Sequence, residues 1–364
     1  MRAFTRQPWI YSAAVDGAWI LAPALLATAV AVILIQFGHG EASLSLWMWG
    51  LLIVGIDVAH VYSTIYRTYL DPAARARLPG WLVLTPLAGW VFGVLLYSRS
   101  AASFWTALAY LAVFHFIRQQ YGFLMIYSRR ERMLPKACAL IDQAAIYAAT
   151  LGPLLYWHTH LPRAFVWFVD GDFLALPHWM WGAAEPVYMM ILGTYLMKEG
   201  WLAVGGGQFN IPRNAIVIGT ALSWYVGIVV ANGDLIFTLT NVVAHGIPYM
   251  ALTFIFSRGE LRQGARLAPI ARVLPLAIAA LVVLAFLEEG LWDGLIWREH
   301  LGLFPGFSSL PPIETNTLLT LAVPLLAVPQ LTHYVIDGVI WRLKSHPEWR
   351  KTLFWHSPSP AGSL

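Results

Sequence analysis

Long apolar stretches separated by short polar breaks set the pattern of this chain. Each stretch is near the roughly 20 residues that a helix needs to cross a bilayer. They predict spans at about 18–37, 46–66, 81–98, 104–127, 139–157, 187–204, 214–231, 235–256, 270–286 and 317–341. Turn chemistry fills the gaps: Asp71-Pro72, Leu78-Pro79-Gly80, Gly205-Gly206-Gly207, Asn232-Gly233-Asp234 and Pro311-Pro312. The expectation is an all-α fold, a polytopic integral membrane helix bundle of about ten transmembrane helices. It reads as one transmembrane domain over residues 1–355 with a disordered tail at 356–364, and no repeat or low-complexity segment divides it. The sixth stretch is the weakest, because Lys198 and Glu199 interrupt it. Two aromatic segments, 162–184 and 288–314, are expected as interfacial loops lying at headgroup level. The first apolar run follows Asp16 without a small-residue cleavage site, so it is expected to be an anchor.

Composition agrees. The chain is 59% hydrophobic and 12% charged, with a mean hydropathy of +0.63, against about 25% charged residues in a soluble domain. One cysteine, Cys138, excludes a disulfide framework, a cysteine zinc site and an iron–sulfur cluster held by this chain alone. The net charge of +4 invites a nucleic-acid reading until its placement is examined. With ten spans, Arg99, Arg163 and Arg298 fall on one side and Arg118 within the bilayer. Every other lysine and arginine falls on the opposite side. That asymmetry predicts cytoplasmic N- and C-termini, as in a bacterial inner (cytoplasmic) membrane, with lipid rather than nucleic acid as the surrounding partner. Removing the sixth span inverts the second half and destroys the asymmetry.

Against this background the polar intrusions matter. His115, Arg118, Gln119 and Gly122 recur at helical spacing in the fourth span, and ionisable groups at that depth each cost at least about 2.5 kcal/mol on insertion. The second, fourth, eighth and tenth spans share one direction and carry His60, His115, His245 and His333 at similar depth. Any one of these could be a simple interhelical hydrogen-bond donor. Together they predict a metal site. Asp57 precedes His60 by three and Asp337 follows His333 by four, spacings that suit a ligand and its orienting partner. Asp142 is a further candidate ligand, and Arg118 a counter-ion for Asp57, Asp142 or Asp337. Gln119 and Asn241 are candidates to position a small reactant at the metal, with Arg118, as catalytic groups. Pro248, Pro324 and Pro329 flank the histidines and are expected to kink their helices.

Imidazole with carboxylate suits iron, one or two ions, or another transition metal. The HxxxH and HxxHH runs of membrane desaturases are missing, as are GxGxxG, P-loop and HExxH motifs. The single scattered histidines, His115-Phe116 and the stretch from His245-Gly-Ile-Pro-Tyr-Met to Phe256-Ser-Arg258 resemble pieces of the bacterial Brp/Blh-type β-carotene dioxygenases. The likeness covers two spans and lacks that family's Pro-His-Gly motif. It implies ligand roles for His115 and His245, non-haem iron, and an oxygenase or oxidoreductase acting on a lipid-like or isoprenoid substrate. Such an enzyme takes a hydrophobic substrate laterally from lipid and draws on an electron-donor protein at the cytoplasmic side. Two other classes stay open: a b-type haem protein for electron transfer, its haems held by histidine pairs, and a proton-coupled transporter with a His–Asp–Arg relay.

Overall fold

The computed structural model describes residues 7–131, 134–205, 209–262, 273–342 and 347–354. The expected tail at 356–364 and the expected start of the ninth span at 270 lie outside these residues. Among the described residues every regular element is a helix. Ten long elements follow in order: α1 (Ala13–Gln36), α2 (Leu46–Arg67), α3 (Pro79–Arg99), α4 (Ala101–Tyr127), α5 (Lys136–Thr159), α6 (Trp179–Val204), α7 (Ile211–Val230), α8 (Asp234–Arg262), α9 (Leu274–Trp297) and α10. The last is a bent pair, Asn316–Leu326 and Val328–Ile340, broken by 40°. Pro324 and Pro329 flank that break, one removing a backbone donor and the other opening a new first turn.

Helix starts are written locally. Ser12, Ser45, Ser100 and Asn210 each accept a backbone N–H three residues on, capping α1, α2, α4 and α7. Among the described residues eight helices are long and apolar enough to cross a membrane, and a ninth if the bent pair is one span. The remaining long helix is α6, which carries Glu185 near its start and, near its end, the two charges noticed in the sequence, Lys198 and Glu199. Those two charges are buried and paired. Lys198 contacts Asp142 of α5 and lies 2.5 Å from Glu199, while Arg213 of α7 bonds Glu199 and lies 2.7 Å from Glu131 and 3.2 Å from Asp142. Asn214 and Asn210 bond Glu199 and Glu131, so the network is closed by neutral donors as well.

The bundle is arranged around α8, buried over most of its length and packed against α1, α2 and α7. On the far side α10 rests on α2, α3 and α4, and α9 packs on α2. One expectation needs correction: residues 288–297 are not interfacial loop. They continue α9, and Glu288, Glu289 and Asp293 are buried inside it. Likewise α6 begins at Trp179, within the expected 162–184 loop. The rest of that loop folds inward, with Phe165 and Phe173 buried. Asp172 accepts the N–H groups of Trp167, Phe168 and Val169 at 3.0, 2.7 and 3.3 Å.

Candidate metal centre

Two glycine and proline features bring the histidine helices together. A Cβ on Gly246 of α8 would lie 2.8 Å from Ile56 Cγ2 and 3.2 Å from Ile56 O, so α2 and α8 touch through backbone at this level. Here α2 is wound wider, with π-type turns over Gly50–Val58, directly before His60. Pro248 leaves the carbonyl four residues earlier, at Ala244, without its helical donor. Gln120 Nε2 of α4 approaches that oxygen at 3.5 Å, and Gln119 Nε2 donates to His245 O at 2.9 Å. The two glutamines thus tie α4 to the kinked part of α8. Gln119, expected to position a reactant, uses its Nε2 in this tie, while its buried Oε1 has no hydrogen-bond partner.

His60, His115, His245 and His333 converge. All four are buried, and one ring nitrogen from each lies within 4.8 Å of the others. His60 Nε2 and His245 Nε2 are 3.1 Å apart, while Nε2 of His115 and of His333 has no hydrogen-bond partner. Around one ion bound at about 2.1 Å, ligand nitrogens stand roughly 3–4 Å apart; the four histidines are grouped closely enough that they could hold a metal ion once the rings draw in. The opposite nitrogens face outward to polar groups. Asp337 lies 3.8 Å from both His115 Nδ1 and His333 Nδ1, and Asp57 lies 3.7 Å from His60 Nδ1. His245 Nδ1 has no such partner, and its ring is held instead by stacking on Phe116, centroids 3.5 Å apart.

A hydrogen-bonded chain links Asp337, Tyr249, Thr64 and His333, and its direction selects the His333 tautomer. With Asp337 ionised, Tyr249 donates its hydroxyl to Asp337 Oδ1. The Thr64 hydroxyl then donates to Tyr249 at 2.8 Å and accepts from His333 Nδ1–H at 2.7 Å. The proton on Nδ1 leaves Nε2 with a free lone pair pointing into the cluster, the condition a ligating imidazole must meet. Comparison with protein-family models, curated proteins and solved structures finds no match. The chemistry therefore rests on these residues alone.

The other expected site residues divide. Asn241 lines the second cavity described below: its Nδ2 donates to Phe237 O at 3.0 Å, and its buried Oδ1 is unpartnered. Asp142 is not a ligand; it belongs to the Lys198–Arg213 network between α5, α6 and α7. Arg118 is not a buried counter-ion. Its guanidinium is exposed, donates to Tyr147 OH at 2.6 Å and lies over the Tyr121 ring, and among the described residues no carboxylate pairs with it. An i+3 position lies 60° around the helix from its reference, and a long side chain turns that offset into an outward course. The expectation missed Thr64 and Tyr249. Both lie four residues after a site histidine, a spacing visible in the sequence.

Two cavities border the bundle. An apolar groove of about 710 Å³ between α3, α4 and α10 is lined by residues such as Phe92, Leu108 and Leu331, and none of the four histidines lines it. The second, about 760 Å³, lies under the loops joining α1 to α2, α5 to α6 and α9 to α10. Its wall includes Asp57, Phe116, Asn241 and Tyr334, the last with its ring 5.1 Å from that of His115. The cavity next to the histidines is therefore half polar and adjoins the loops, whereas the expectation had a path through lipid-facing apolar wall.

Proposed function

We propose that the protein is a polytopic membrane metalloprotein in which His60, His115, His245 and His333 hold one transition-metal ion, iron in the first place, and that it is an oxidoreductase acting on a hydrophobic small molecule. The observation that carries this is the inward convergence of four buried imidazoles, two with wholly unpartnered Nε2 atoms. A structural hydrogen-bond cluster would instead pair those atoms, because each orphan costs about 1–3 kcal/mol. The chemistry such an ion supplies is activation of dioxygen, as the resemblance to the Brp/Blh-type dioxygenases implies. The chain's own part is to fix the His333 tautomer through an ionised Asp337, Tyr249 and Thr64, to place the Asp57 carboxylate beside His60, and to keep bulk water away by burial. Haem fits less well. The ring centroids of His60 lie 4.7 and 4.9 Å from those of His245 and His333, filling the space a macrocycle between two of them would need. The topology that accompanies this reading has α6 crossing the bilayer, both termini cytoplasmic, and an electron donor at the cytoplasmic face.

The test is metal analysis of protein purified in neutral detergent without chelator and supplied with ferrous iron. About one ion per chain is expected, with each single His→Ala variant at these four positions losing most of it and His39→Ala retaining it. Protein that holds no metal under these conditions overturns the reading and leaves a proton relay, as in a proton-coupled transporter, or a purely structural hydrogen-bond network.

A further inference from the structure

The loop-side cavity has a composition of its own. Glu289 and Asp293 of α9 stand one turn apart on its wall, joined by Asp57 of α2. Asp293 uses Oδ1 to accept the N–H groups of Glu299 and His300 at 2.8 and 2.7 Å, and its buried Oδ2 has no partner. Among the described residues no lysine or arginine pairs with Glu289 or Asp293. The basic groups on the wall are occupied or peripheral: Arg163 donates to Ile228 O and Ala231 O at 2.8 and 2.6 Å, and His300 lies 3.8 Å from Asp293 Oδ1. Indole rings line the same cavity. Trp105, Trp292 and Trp297 form a cluster with centroids 5.4 to 5.9 Å apart. Across the cavity, on a different helix, the unpartnered Asn241 Oδ1 is a buried acceptor at 3% exposure.

Anionic groups and indole rings on one wall that is half apolar match neither a hydrated metal ion nor a neutral lipid. A hard cation such as calcium collects six or more oxygens around one point, whereas among the described residues no three carboxylates of this wall come close enough to share an ion. An apolar tail alone leaves the carboxylates and Asn241 unsatisfied. An organic ammonium answers all three features, because it is attracted to indole faces and to carboxylates and is weakly hydrated when alkylated. We infer that this cavity binds an organic ammonium group, with Glu289 and the free oxygen of Asp293 facing the charge, the three tryptophans enclosing it, and Asn241 accepting an N–H or O–H of the same ligand. This deepens the proposed function, since the cavity wall adjoins the histidine cluster. It makes the substrate a molecule with a cationic nitrogen, and it rests on the metal reading only for that last step.

Calorimetric binding to the purified, metal-loaded protein in neutral detergent tests it with choline, its uncharged isostere 3,3-dimethylbutan-1-ol, dodecyltrimethylammonium and calcium chloride. Choline should bind at least about tenfold more tightly than the isostere, and Glu289→Gln should lose about tenfold. Trp297→Ala should weaken choline severalfold while Trp297→Phe keeps most of the affinity, which separates ring contact from misfolding. A tighter fit for dodecyltrimethylammonium than for choline identifies the ligand as a lipid-like amine; equal affinity identifies a small soluble one. Equal binding of choline and the isostere, displacement of choline by calcium, or unchanged choline binding in Glu289→Gln overturns the inference. Metal content measured on the same samples keeps the two readings apart, because loss of choline binding with full metal, or choline binding without metal, refutes only one of them.

Discussion

At the scale of single residues the candidate site works through asymmetry between the two nitrogens of each imidazole. One carboxylate, Asp337, faces the outward nitrogens of two histidines, whereas Asp57 faces one. Loss of an orienting partner usually costs about 10–100-fold in metal affinity. Asp337→Asn is therefore expected at the upper end of that range and Asp57→Asn at the lower, measured by competitive metal titration. Charge at residue scale also reverses a natural guess. Arg118 looks like the costly buried cation in the sequence, yet Arg213 is the enclosed one, at 0% exposure among three carboxylates. Removing one side of such a network costs about 3–5 kcal/mol. Arg213→Leu should thus destabilise the protein strongly in a thermal or denaturant melt, and Arg118→Leu should be nearly neutral. The opposite ranking would mean that the network contributes little to stability and that Arg118 contributes more than its contacts with Tyr147 and Tyr121 suggest.

At the scale of elements the contact between α2 and α8 decides whether His60 meets His245. Gly246 admits that contact because a Cβ there would collide with Ile56, including its backbone oxygen. Gly246→Ala is expected to push the helices apart by a few tenths of an ångström and to cost about 1–3 kcal/mol as overpacking does. Metal occupancy should fall alongside stability, whereas Gly338→Ala on α10, where a Cβ meets nothing within 4 Å, should leave both unchanged. The prolines act in the same direction: Pro248 frees Ala244 O, and α4 supplies glutamine amides to that stretch of α8. This explains why polar residues cluster in the middle of α4 without all being catalytic.

For the whole molecule the open quantity is the path of α6. It has 26 residues, about 39 Å at 1.5 Å per residue, and its buried Lys198 and Glu199 are matched by Asp142 and Arg213 rather than by water. A helix that satisfies its charges internally can cross a bilayer despite modest hydropathy. Single cysteines at Asp170 and at Val204, in a Cys138→Ala background, test this by labelling with a membrane-impermeant thiol reagent. Opposite accessibility is expected; labelling of both from one side would place α6 on the membrane surface and make the total of spans odd.

The helical bundle, the approximate limits of the long elements other than α6 and α9, and the identity of the four histidines were legible in the sequence. Those signals are local: a run of apolar side chains, a cap, a proline, or an ionisable group where lipid forbids one. The companions of the histidines were legible in part, since Asp57, Asp337, Thr64 and Tyr249 all stand three or four residues from one of them along a helix. What the chain order does not contain is azimuth and partner. Whether Arg118 turns inward depends on which neighbours occupy the space beside α4, and Tyr147 lies on another helix. Asp142 is drawn from the histidines by Lys198 and Arg213, more than 50 residues away in sequence. The buried acids at the end of α9 looked like loop because charge in an apolar run reads as a boundary. Only packing shows that a cavity lies beside them, and that packing depends on contacts between distant segments that no local pattern encodes.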